Sequence, residues 1–128
     1  MSMNGYPLRC NHPEAWLMSG YFTGGGSGAV TKITGEDITV TRTGTGAYTL
    51  SWSKPGARLI GLVKWTLAAN TPANIAGFTV AFDYDSYSAA NRSINFIVYA
   101  ADNSTATDLA STVGLGLDFV ISTTQVTG

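Results

Sequence analysis

Along residues 35–52, GEDITVTRTGTGAYTLSW, apolar and polar positions alternate with a period of two. Ile38 and Val40 alternate with Thr39 and Thr41. After Thr43-Gly44-Thr45-Gly46 the alternation restarts, with Tyr48, Leu50 and Trp52 on one face and Thr49 and Ser51 on the other. That period sets one row of side chains on a core and the other in water, which is the pattern of a half-buried strand. The glycines between the two runs supply the positive φ of a hairpin turn. The segment therefore predicts two antiparallel strands, and the rest of the chain is organised around them.

The same signature recurs on both sides. Residues 15–22 form a first strand with apolar weight from Trp16, Met18, Tyr21 and Phe22, and a glycine-rich loop, 23–28, leads to a short strand over 29–33. A Pro-Gly turn at 53–56 opens the longest apolar run, 58–68, where Leu59, Ile60, Leu62, Val63, Trp65 and Leu67 keep no single period. Its clearly β neighbours favour a strand covered on both faces and bulged near Gly61 over a helix. Phe78, Val80 and Phe82 alternate with Thr79 and Ala81, and Ile94, Phe96 and Val98 with Asn95, Ile97 and Tyr99. Residues 102–115 are a connection with one helical turn at 107–110, and 117–124 form the last strand, with Leu117, Phe119 and Ile121 on one face. About eight strands separated by turn signals indicate an all-β fold, a single antiparallel β-sandwich. The jelly roll is the preferred topology and an immunoglobulin-like sandwich the alternative. Residues 1–14, broken by Gly5, Pro7 and Pro13, read as an N-terminal arm before a β-sandwich domain over 15–128.

Composition narrows the function classes. With seven basic and eight acidic residues in 128, the scattered charge does not suit a phosphate-backbone binder, so no nucleic acid is expected. Hydroxyls and amides dominate the polar positions, as on proteins whose surfaces are occupied by neighbouring copies and also on secreted β-proteins. The single cysteine, Cys10, excludes an intrachain disulfide. No secretory h-region and no run of membrane-spanning length is present, so cytoplasmic synthesis and no membrane partner are expected.

The search for chemistry returns little. Cys10 and the only histidine, His12, are too few for a zinc site and lie on an arm, a poor scaffold for a nucleophile–base pair. Asp83 and Asp85 have a D-x-D spacing that calcium would need Ser86, Ser88 or Asn91 to complete; the plain alternative is a solvated loop. The 24–28 glycine run lacks the Gly-Lys-Ser/Thr ending of a phosphate loop. Trp52 and Trp65 fall at core or interface positions. The loop pair Tyr84 and Tyr87, beside Asp83 and Asp85, has a composition that suits binding a sugar or a protein; the plain alternative is ordinary loop packing. No catalytic set, cofactor or metal is expected, and the chain reads as a non-enzyme.

The stretches SGYFTGGGSGAV, ITVTRTGTGAYTLSW, INFIVYAADNSTATDLAS and GLDFVIS resemble those of small bacteriophage virion structural proteins, over residues 15–124. Their motifs encode a hairpin and core strands rather than a site. Members of this kind are similar to trimeric jelly rolls of the tumour-necrosis-factor or C1q type. The resemblance implies a capsid decoration (cement) or head-fibre protein on the virion surface, a homotrimer whose partner is the major capsid protein or another virion protein. The alternative is a receptor- or carbohydrate-binding module of a tail fibre, with a host surface glycan as ligand. In the first case the arm, with Tyr6, Pro7, Leu8, Arg9 and His12, is the expected capsid contact. In the second, Asp83, Tyr84, Asp85 and Tyr87 form the expected exposed binding loop.

Overall fold

The computed structural model describes residues 5–7, 15–54 and 57–122. Nine strands, β1 (Gly5–Pro7), β2 (Ala15–Thr23), β3 (Thr31–Thr34), β4 (Ile38–Gly44), β5 (Ala47–Trp52), β6 (Arg58–Ala69), β7 (Thr79–Phe82), β8 (Ser93–Tyr99) and β9 (Val113–Ser122), build two antiparallel sheets. Sheet A runs β1–β2–β9–β6, with β3 also paired to β2; sheet B runs β4–β5–β8–β7. Because β9 occupies one edge of β2 along its whole length, β1 and β3 share the other edge, at opposite ends. The all-β sandwich expected from the alternation is the fold of the chain.

The rows predicted to face inward do so. Ile38, Val40, Tyr48, Leu50, Trp52, Ile94, Phe96 and Val98 from sheet B are buried against Met18, Phe22, Leu115, Leu117, Phe119 and Ile121 from sheet A. Burying each large apolar side chain is worth about 1.5–3 kcal/mol, and this double row is the main source of stability. Aromatic rings pack within sheet B and across the two layers. Phe96 lies between Tyr48 and Phe82, with ring centroids 5.5 and 5.1 Å away, and Trp52 meets Phe119 across the core at 5.9 Å.

The β4–β5 turn is narrower than its two glycines suggest. Only Gly46 has a positive φ, +66°, while Gly44 belongs to β4 at a register shift. Gly46 is also required by proximity, since a Cβ there would come within 2.5 Å of the Thr107 amide nitrogen. Close packing arises because residues 106–109 lie against the hairpin. Asp108 accepts hydrogen bonds from Arg42 Nε (2.9 Å), Arg42 Nη2 (3.1 Å) and the Gly46 amide (2.8 Å), and the Leu109 amide donates to the buried Tyr48 hydroxyl at 2.8 Å. The Thr107 amide donates to the Val98 carbonyl and the Leu109 carbonyl accepts from the Gly26 amide, so residues 107–110 carry no regular structure and the helical turn expected there does not form: the segment's hydrogen-bonding groups are committed to distant partners. On the outer face of sheet A, the Tyr21 ring lies across β9, and any Cβ at Gly114 would collide with its hydroxyl.

The expectation for the long apolar run needs correction. It is a strand, β6, with register shifts at Leu59/Gly61 and Leu62/Lys64, so Ile60 and Val63 are the extra residues of two bulges. It is not covered on both faces, for residues 62–66 are exposed, and as the last strand of sheet A it is paired on one edge only.

Two expectations follow. Tyr48→Phe leaves the buried Leu109 amide without an acceptor and should cost about 1–3 kcal/mol in urea unfolding. The Arg42 guanidinium and the Gly46 amide hold the Asp108 carboxyl below its usual range, and hydrogen bonds from Thr105 and Ser104 hold Asp102 down to about 2. For groups depressed by folding, the stabilisation is complete above the unfolded carboxylate value, about 4, and is lost as pH falls through the folded values. Melting temperature should therefore fall as pH drops from about 4 towards 2, and Asp108→Asn should flatten that decline.

Candidate functional site

The two sheets meet differently at their two sides. Where β2 and β3 approach β4, the sandwich is closed: a Cβ on Gly35 would lie 3.0 Å from the Gly20 Cα. On the other side the outermost strands are β6 and β7, and the seam between them is open. In register, Leu62 pairs with Phe119 and Trp65 with Leu117, so both side chains belong to the inward row. Yet Leu62 and Trp65 remain 42 % and 36 % exposed, because β7 is only four residues long and does not close over them. Val63, thrown out by its bulge, is 57 % exposed.

Two hollows follow this seam. One, of about 570 Å³, is lined by Leu59, Ile60, Gly61, Leu62, Phe82, Tyr84, Asp85, Tyr87 and Ile94. The other, of about 270 Å³, shares Leu62 and Phe82 and reaches Leu50, Val80, Leu117 and Phe119 in the core. The walls are mostly apolar; Asp85 lies at the larger hollow, and Lys64 and Asp118 at the smaller. The surface can take up apolar side chains or a flat ring, with charged groups of both signs beside it.

The loop expected to bind lies at this lip, and its four residues have distinct roles. Asp83 Oδ1 accepts from the Asp85 amide (3.0 Å) and caps a 3-10 turn at Tyr84–Ser86, while the Ser86 hydroxyl accepts from the Asn95 amide at 2.7 Å. Tyr87 is half-buried. Its ring stacks on Trp52 with centroids 6.3 Å apart, and its hydroxyl accepts from the Leu59 amide at 3.2 Å, joining the start of β6 to the loop that follows β7. Tyr84 is 85 % exposed, and Asp85 is exposed beside it. The structure thus brings Tyr84, Asp85 and Tyr87 to one hollow and directs Asp83 into the turn.

Of the residues expected to contact a capsid, Tyr6 and Pro7 lie in β1, whose backbone pairs with Leu17 and Trp16 of the same chain. Leu8, Arg9 and His12, with Cys10, lie outside the described residues. Among the described residues, no group of three or more His, Cys, Asp or Glu is placed to hold a metal, and no helix is long and apolar enough to cross a membrane. The open seam itself escaped the sequence reading. Its trace was the aperiodic apolar run at 58–68, the only apolar stretch that no single strand period could bury. No family model, curated protein or solved structure matches this chain.

Tyr87→Phe should leave the Leu59 amide without its acceptor, destabilise the fold by about 1 kcal/mol and speed hydrogen exchange at Leu59. Tyr84→Ala should change stability by less than about 0.5 kcal/mol, because its ring is in water.

Proposed function

We propose that this chain is a non-enzymatic structural protein of a bacteriophage virion, a capsid decoration (cement) or head-fibre protein that acts by docking against other protein. The observation that carries the reading is the open seam, where inward-row side chains of a sandwich core, Leu62 and Trp65, stand exposed at a strand edge. Exposed apolar surface of this kind marks an association site. Each Å² covered there contributes about 25 cal/mol, and repetition over many copies stabilises a shell against disruption. The resemblance of the hairpin and of the 94–122 stretch to virion structural proteins, and a surface rich in hydroxyls and amides, support the same assignment.

A second reading, a carbohydrate-binding module of a tail fibre, has one observation in its favour. Tyr84 stands 85 % exposed beside Asp85 at the mouth of the larger hollow, and an aromatic face next to a carboxylate can stack on and hydrogen-bond a sugar. The two readings separate on particles of the virus whose genome encodes this chain. Under the first, antibodies to the chain label intact capsids at many sites per particle, and Tyr84→Ala leaves the labelling unchanged. Unlabelled capsids, together with glycan binding that Tyr84→Ala abolishes, would replace the first reading with the second.

A further inference from the structure

The two hollows lie end to end along the strands. On β6 the larger is lined by residues 59–62 and the smaller by residues 62–65. On the facing side the larger takes Phe82, Tyr84, Asp85 and Tyr87, and the smaller Val80 and Phe82. Leu62 and Phe82 stand where the two join. The seam is therefore a furrow that follows the strand direction, which is the shape of an extended chain rather than of a compact ligand. An extended chain sends alternate side chains to one side, and so has one for each hollow.

Such a chain also carries backbone groups into an apolar furrow, where they need partners. The edge of β7 offers them. The Val98 amide donates to the Gly46 carbonyl and the Val98 carbonyl accepts from the Thr107 amide, so both groups face away from β7. Val80, opposite Val98 in register, thus points its own N–H and C=O into the seam, as does Phe82 two residues on. Bulges, prolines and lysines are the usual protection of a strand edge. On β6 two bulges interrupt the edge, whereas β7 has no register shift, proline or lysine. Charge distinguishes the two ends of the furrow. Lys64 and Asp118 are in register across β6 and β9 and give the smaller hollow both signs. Asp85 is the only charged residue lining the larger. It is in no ion pair, for the one among the described residues joins Arg42 and Asp108, and Arg92, further along the same connection, donates to the Trp52 carbonyl.

We infer that the seam takes an extended segment of a partner protein, added as a strand to the β7 edge, with apolar side chains at alternate positions in the two hollows and a basic side chain beside Asp85. Backbone bonds supply the affinity of such an addition and the hollows its specificity. The inference rests on reading the seam as a protein-docking surface, and it states the form and chemistry of what docks.

The test is nuclear magnetic resonance of the full chain titrated with a blocked hexapeptide, in order arginine, threonine, isoleucine, threonine, leucine, threonine. Antiparallel to β7, its leucine lies opposite Val80, its isoleucine opposite Phe82 and its arginine at Asp85. Saturating peptide should slow amide exchange at Val80 and Phe82 about tenfold or more. Methylating the isoleucine and leucine amides should abolish binding. Asp85→Lys, at an exposed position whose melting temperature checks the fold, should weaken binding about tenfold and favour the same peptide with glutamate in place of arginine. No binding at millimolar peptide, methylated peptide that binds like the parent, or Asp85→Lys without effect on either peptide overturns the inference. Protection of Val80 and Phe82 that rises with protein concentration in the free chain would overturn it in favour of a second copy. Labelled capsids without peptide binding would remove only the added strand. Peptide binding with unlabelled capsids would remove only the virion assignment.

Discussion

The structure depends on the inward row of β9. Val113, Leu115, Leu117, Phe119 and Ile121 run down the middle of sheet A and are all buried. The strand is paired on both sides, with β2 along nine residues and with β6 along its full length. The inward residues of sheet B belong to the same core cluster as this row, and Trp52 meets Phe119 directly. Strands with both edges paired and one face wholly dry are the last to open, so local fluctuation is expected to grow outwards from β9 to the strands at the margins.

Much of this was legible in the sequence because strict alternation has one physical meaning. Tyr48, Leu50 and Trp52, or Ile94, Phe96 and Val98, can share a dry face only in a strand, and they do. Tertiary hydrogen bonding was not legible. Residues 107–110 have a composition that tolerates a helical turn, but Asp108 and the Leu109 amide find partners sixty or more residues away, on Arg42 and Tyr48, and those partners decide the conformation. The strand order was hidden for the same reason. Nothing local says that the hairpins β4–β5 and β7–β8 lie side by side in one sheet.

The candidate site divides in the same way. Tyr84 and Asp85 stood out as loop residues of binding type, and both reach a hollow. Tyr87, adjacent in sequence and similar in character, is committed to Trp52 and to the Leu59 amide, a difference set by packing that composition does not encode. The seam was foreshadowed only by the failure of a pattern. A run with apolar residues on both faces signals burial, but it does not reveal whether the cover comes from the same molecule. In β6 the described residues of this chain cover only part of it.

The contact of Tyr21 with the backbone at Gly114 has a consequence of another kind. The phenol occupies the space that any side chain at 114 would need. An alanine at 114 would therefore displace the Tyr21 ring, which stands at the surface and has room to swing outward. Conversely, loss of the ring bares a glycine in the middle of a sheet. A change at either position thus alters the surroundings of the other.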